Sequence, residues 1–169
     1  RRVRPEDIRV YADAALGVES ALPATATNLQ QAIGAWANVD NQLGALTLYL
    51  VGQGAQDGLV CANGDTVTPQ DLQQWLDALQ DATGATVQVI ADADYSGSFV
   101  TGSGSATHRR IVVSSSGATQ RNTFASGQWS NVTRWIWNAI ARGRDLRESF
   151  GEALDLAKLL GLNVPALFD

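Results

Sequence analysis

Two apolar runs of strand length bracket one well-marked helix, and this order constrains the fold more than any other feature of the sequence. Residues 46–51 (LTLYLV) form the first run and stop at Gly52, inside the turn-prone stretch GQGAQDG. Thr68-Pro69 then marks a helix start, with Thr68 as the cap and Pro69 at the first helical position. Leu72, Trp75, Leu76 and Leu79 make its buried stripe, and Gly84 supplies the left-handed residue past its end. Residues 86–91 (TVQVIA) are β-branched and apolar, as a buried strand requires.

The same alternation extends on both sides. Residues 8–12 (IRVYA) read as a short strand, and Thr27 is positioned to cap a helix with Leu29, Ile33 and Trp36 on one face. A short strand at 59–61 runs into Asn63-Gly64, a hairpin signal. Residues 101–107 (TGSGSAT) read as a polar loop, and 110–114 as another strand. Val132, Trp135, Ile136, Ala139 and Ile140 form a helical stripe ending near Gly143. Asp145 and Glu148 make a capping box for a last helix with Leu146, Phe150, Ala153, Leu154 and Ala157 inward, stopped by Gly161. We therefore expect one α/β domain over residues 1–169, with a mostly parallel sheet flanked by helices on both faces. In such sheets the chemistry lies at the carboxyl ends of strands, which singles out the loops after Val51 and Ala91.

Composition excludes several classes of function. At 45% apolar and 17% charged residues the chain carries enough apolar material for a core. No apolar run approaches the ~20 residues of a membrane span, so no membrane partner is expected. The net charge of −5 argues against nucleic acid as a partner. The single cysteine, Cys61, forms no internal disulfide; this suits a cytoplasm, but leaves a secreted or periplasmic origin open and assigns no compartment. The chain has no methionine and opens on Arg1, so we expect a piece excised or processed from a longer polypeptide. No Lys or Arg occurs between Arg9 and Arg109, a stretch that holds both site loops and ten acidic residues.

The two loops read LTLYLVGQGAQDG (46–58) and VQVIADADYSGSFV (87–100). In this order they resemble the catalytic loops of caspase–hemoglobinase-fold cysteine peptidases, and most closely the bacterial legumain-like (asparaginyl endopeptidase) group. In that group one strand ends in His-Gly and the next in Ala-Cys, followed by a Ser-Gly-Ser run. The segments TATNLQQAIGAWA (25–37), TVTPQDLQQWLDALQ (66–80), RIVVSSSGATQ (110–120) and WIWNAIARGRDLRESFGEA (135–153) resemble family segments in family order. The resemblance implies a peptide groove and no cofactor. It also implies that Gly54 is the oxyanion glycine, that Asp92 stands beside the nucleophile position, and that Ser114, Ser115 and Ser116 help line the substrate pocket. The family opens with a strand and helix ahead of the segment matched by residues 8–12; the chain lacks that N-terminal strand, and an upstream segment of the same precursor is a candidate to supply it.

The two decisive positions depart from the family. Gln53 stands where the resemblance puts the general-base histidine, and Asp94 where it puts the nucleophilic cysteine. An amide does not titrate and so serves neither as base nor as acid. A carboxylate is a weak nucleophile toward amides, and its attack would give an anhydride less stable than the amide consumed. The resulting expectation is an inactive homologue, a pseudopeptidase with a peptide-binding or regulatory role and a peptide or protein segment as partner. One alternative is an inactivated form of an active cysteine endopeptidase with its base at position 53 and its nucleophile at 94. Another is a cation-binding module, because Asp92, Asp94 and Ser96 fit the opening of a calcium loop, though Ser103 stands where its bidentate glutamate belongs. With two aspartates in one loop, the site is expected to favour a basic peptide or a cation over an anionic ligand.

The remaining chemistry-bearing residues have simpler expectations. His108 reads as an exposed loop residue and Cys61 as a small buried apolar one. Trp135 and Trp137 read as core and rim packing, and Arg142, Arg144 and Arg147 as a solvated cluster near a helix end.

Overall fold

In the computed structural model the strand over residues 45–51 buries Leu46, Leu48 and Leu50 on one side, while Ala45, Thr47 and Val51 are exposed on the other. The structure describes residues 4–17, 19, 21–37, 43–122, 124–125, 129–162 and 167–168. The elements are, in chain order, β1 (Tyr11–Ala12), β2 (Leu22–Pro23), α1 (Ala26–Ala37), β3 (Ala45–Val51), β4 (Gly54–Ala55), β5 (Gly58–Val60), β6 (Thr66–Val67) and α2 (Pro69–Thr83). After them come β7 (Thr86–Asp92), α3 (Gly97–Gly102), β8 (Arg110–Ser114), β9 (Phe124–Ala125), β10 (Trp129–Ser130), α4 (Asn131–Ala141), α5 (Leu146–Leu159) and β11 (Leu167–Phe168).

The main sheet has the order β11-β8-β7-β3, with β3, β7 and β8 parallel and β11 antiparallel at one edge. Alternation assigns its two faces. Leu46, Leu48, Leu50, Val87, Val89 and Val112 pack with Ile33 of α1 and Leu72, Leu76 and Leu79 of α2. Ile90 and Val113 point the other way, against Val132 and Ile136 of α4 and Leu146, Phe150 and Ala153 of α5. Each such buried aliphatic side chain contributes about 1.5–3 kcal/mol, so both layers are held chiefly by these stripes. This is the expected α/β sheet flanked by helices on both faces. Among the described residues no helix is long and apolar enough to cross a membrane.

Local signals explain most element ends. Thr68 caps α2 in a capping box with Asp71, and Gly84 closes that helix at φ 66°. Asp145 and Glu148 form the box that opens α5. Asn63-Gly64 lies in the turn between the antiparallel strands β5 and β6.

Four expectations need correction. Thr25, not Thr27, caps α1, its Oγ1 accepting the Asn28 N–H at 3.1 Å. The polar stretch 101–107 begins inside a helix, α3, because Phe99 and Val100 are drawn into the core beneath it. Of residues 8–12 only Tyr11 and Ala12 are strand, paired with β2 rather than with the main sheet. His108 is not freely exposed: its Nε2 lies 2.9 Å from Asp81 Oδ1, and its Nδ1 3.0 Å from Ser105 Oγ.

Candidate active site

Strands β3 and β7 run side by side in register, with Val51 opposite Asp92. Their following loops therefore leave the same end of the sheet, as the sequence pattern requires. The Gly52 N–H donates to the Asp92 carbonyl at 3.3 Å and extends the pairing one residue beyond the strand. Beyond that point the backbones touch. A Cβ on residue 54 would overlap the Asp94 carbonyl oxygen, and no side-chain motion relieves a clash with backbone. Glycine at 54 is thus what allows the position-53 loop to lie on the position-94 loop. The Gln53 carbonyl accepts the Val60 N–H at 2.9 Å, which ties this loop to the β4–β5–β6 hairpins, while the Gln53 side chain is exposed.

Asp92 is 1% exposed, and both carboxylate oxygens are engaged. The Tyr49 hydroxyl donates to Oδ2 at 2.9 Å, and Asn122 Nδ2 donates to Oδ1 at 2.8 Å and to Ser115 Oγ at 2.7 Å. Burial, and then the Asp92 charge and hydrogen bond, push the Tyr49 phenol well above its ordinary pKa, so it stays a donor. The Asn122 backbone N–H donates to Asp94 Oδ1 at 2.6 Å. One residue thus holds both carboxylates.

The loop carrying Asp94 is fixed from behind. Tyr95 sits at φ 57°, a left-handed conformation uncommon for a bulky residue. Its N–H donates to the Gln120 carbonyl at 2.8 Å, and its hydroxyl accepts Arg121 Nε at 3.3 Å. That hydrogen bond, with the nearby Asp94 charge, holds the exposed Arg121 guanidinium above its usual pKa. Ser96 and Ser116 are buried and exchange hydrogen bonds, the Ser116 N–H and the Ser96 N–H each donating to the other's hydroxyl. The Ser116 hydroxyl donates to the Ala93 carbonyl, and the Ser114 hydroxyl to the Ser116 carbonyl. Gly97 packs on the backbone of Gly117 and Ala118.

Ser114, Ser115 and Ser116 therefore join the site, but all three are buried with their hydroxyls turned inward. Tyr49 and Asn122 bond both Asp92 oxygens, Asn122 bonds Asp94 Oδ1, and the Ser96 hydroxyl pairs with that of Ser116. Among the described residues no group of three or more His, Cys, Asp or Glu side chains is placed to hold a metal ion.

No imidazole hydrogen-bonds to Gln53 or Asp94 among the described residues. His108 precedes β8, at the opposite ends of these parallel strands, about 20 Å away along the strand rise. Cys61 lies between β5 and β6, half-buried, and burial followed by the Asp65 charge raises its thiol pKa. A raised thiol pKa disfavours the nucleophilic thiolate.

Sequence reasoning missed Tyr49 and Asn122. Tyr49 had a faint signal, as the lone aromatic in an aliphatic strand; Asn122 lies in irregular chain and had none. It also missed the far end of the sheet. There buried Arg110 donates to Gln80 Oε1, to the Ser103 carbonyl and to Asp77 Oδ1, the last at 2.7 Å. Burial lowers the Arg110 pKa, and Asp77 opposes that shift. Gln80 had been readable: it continues the four-residue spacing of Leu72 and Leu76 on the buried face of α2.

No protein-family model and no curated protein matches this chain. Among solved structures, the crystal structure of caspase-1 from Spodoptera frugiperda is similar, with a TM-score of 0.67 over 92% of this chain and 74% of that one. The fold is caspase-like. At 11% identity the likeness to that caspase is one of architecture. In this caspase-like fold both loops leave the same end of the sheet, at the carboxyl ends of β3 and β7.

Proposed function

We propose that this chain is a pseudopeptidase: a cysteine-peptidase-like scaffold of legumain-like, bacterial type that binds a peptide or regulates a partner without hydrolysing it. The observation that carries this reading is the backbone contact of Gly54 with Asp94. It brings together the two loops whose chemistry the resemblance identifies, and those loops offer an amide and a carboxylate. The amide neither generates a thiolate nor protonates a leaving amine, and the carboxylate is a weak nucleophile in place of a thiol. What survives is a backbone platform and a buried polar frame, which by themselves give only residual catalysis.

The membership in a legumain-like group rests on the separated segments 25–37, 66–80, 110–120 and 135–153. The preference for basic over acidic ligands needs sharpening, since Asp92 is already satisfied by Tyr49 and Asn122 and Asp94 has Arg121 nearby. A basic ligand would have to displace Asn122 or Tyr49 to reach Asp92, whereas Asn122 holds Oδ1 alone of Asp94.

The test is a peptide-library assay of the chain as it stands beside a Gln53→His/Asp94→Cys double variant. The expected result is no cleavage by the unmodified chain, and cleavage plus alkylation at the introduced thiol in the double variant. Cleavage by the unmodified chain that disappears in Asp94→Ala would overturn the proposal.

A further inference from the structure

We propose that Asn63 is a self-modifying position: its side-chain amide is lost through a cyclic imide with Gly64, and the carboxylate that replaces it opens the tip of the β5–β6 hairpin. Asn63 alone among the asparagines of this chain is followed by glycine. Residues 62–65 are exposed, and apart from the chain neighbours of Gly64 a Cβ at that position would meet nothing within 4 Å. The space around the Gly64 nitrogen is therefore open, and residue 64 has no side chain to screen it.

The turn also prepares the amide. The Asp65 N–H donates to Asn63 Oδ1 at 3.3 Å, which draws charge toward that oxygen and stabilises the oxyanion that forms when Cγ is attacked. Asn63 Nδ2 donates to Asp65 Oδ2 at 2.6 Å, so the amide is held in one orientation. One contact opposes the reaction: the Gly64 N–H donates to the Cys61 carbonyl at 2.9 Å and must leave it. An exposed turn hydrogen bond slows the step by at most about tenfold.

In the step itself the Gly64 nitrogen gives its proton to solvent base and bonds to Asn63 Cγ. The Cγ–Nδ2 bond breaks, and Nδ2 leaves as ammonia with a proton returned from solvent. Water then opens the five-membered imide at either carbonyl, leaving aspartate or isoaspartate at position 63. Nothing is oxidised or reduced, and the only co-reactant is water.

The product changes what the tip can hold. A carboxylate at 63 faces Asp65 with acceptors alone, where the amide had donated. In the isoaspartate form the main chain runs through the former side chain and gains one carbon, so the Gly64 N–H loses its register with the Cys61 carbonyl. The Cys61 N–H closes the same tip on the Asp65 carbonyl at 2.7 Å, and beyond it Val60 pairs with Thr66. Opening the tip therefore loosens β5, whose Val60 N–H holds the Gln53 carbonyl. The modification needs no chemistry from the loops at residues 53 and 94, so it stands independently of what those loops do.

The test incubates the purified chain in mildly alkaline buffer, in ordinary and in heavy-oxygen water, beside a synthetic peptide of residues 59–67, and follows a chymotryptic digest by mass spectrometry. The first gain of one dalton should fall in the fragment carrying residue 63 and become three daltons in heavy-oxygen water, at a rate within about tenfold of the free peptide. Asn63→Gln, whose imide would be a six-membered ring, should show no gain in that fragment over the same period. Converted protein should exchange the amides of residues 58–67 faster than fresh protein, with those of β7 unchanged. The proposal is overturned if another asparagine converts first, if the folded chain converts more than about tenfold more slowly than the peptide, or if conversion leaves the exchange of residues 58–67 as it was.

Discussion

The central strands carry a buried charged cluster at each end, and the two are built on opposite principles. At the amino ends Arg110 is a buried cation with an ionic partner, Asp77, and neutral acceptors in Gln80 and the Ser103 carbonyl. His108 and Asp81 close that cluster at the surface. At the carboxyl ends Asp92 is a buried carboxylate whose partners, Tyr49 and Asn122, are both neutral donors. The first cluster joins α2 to β8 and does nothing else visible. The second sits beneath the loops at residues 53 and 94 and fixes them. A cation with a counter-ion makes a clasp, whereas the Asp92 carboxylate is held by neutral donors alone.

The sharpest way to break this contrast is Arg110→Ala. It leaves Asp77, Gln80 and a carbonyl without their donor, and should cost about 3–5 kcal/mol of stability in urea unfolding. Arg110→Lys should recover only part, because an ammonium cannot reproduce the guanidinium fork. Gly54→Ala comes next: its methyl meets the Asp94 backbone, so the loops must separate at about 1–3 kcal/mol. The effect should appear as faster hydrogen exchange in residues 52–60 and 93–96, with the amino-end cluster undisturbed.

Tyr49→Phe tests the neutral-donor end and should cost about 1–3 kcal/mol by orphaning one Asp92 oxygen. It also carries a pH signature. The folded-state pKa of Tyr49 lies above its unfolded value, so its contribution is complete below about pH 10 and is lost as the pH rises beyond that. The unmodified chain should therefore lose stability more steeply than the Tyr49→Phe variant in alkaline solution, read from melting temperatures across pH 9–12. Smallest is His108→Ala, a surface pair whose loss should cost under about 1 kcal/mol. If it proved as costly as Arg110→Ala, the amino-end cluster would be one cooperative network rather than a buried clasp with a surface rim.

How much of this was legible in the sequence follows from the range of the interactions. The helices α2 and α5 announce themselves because Thr68 with Asp71 and Asp145 with Glu148 act over three residues. Strands β3 and β7 show because a two-residue period needs only neighbours. The loops around 53 and 94 could be paired in advance only through their resemblance to a known family, since nothing local says that Gly54 will lie on Asp94. Asn122 was invisible for the same reason. Its two aspartate partners, Asp92 and Asp94, are 30 and 28 residues upstream, and no periodicity links irregular chain to a strand end. The brief pairing of β11 with β8 likewise depends on tertiary contact and carries no pattern of its own.

The contact between Gly54 and Asp94 also has a mechanical side. Two loops that touch backbone to backbone cannot move closer, so each limits the travel of the other toward it. The hairpin that begins at Gly54 abuts Asp94, and Asp94 is joined through Asn122 to Asp92 and so to Tyr49 of β3. The two loops therefore meet at a residue that has no side chain, and any side chain placed there acts as a wedge between them.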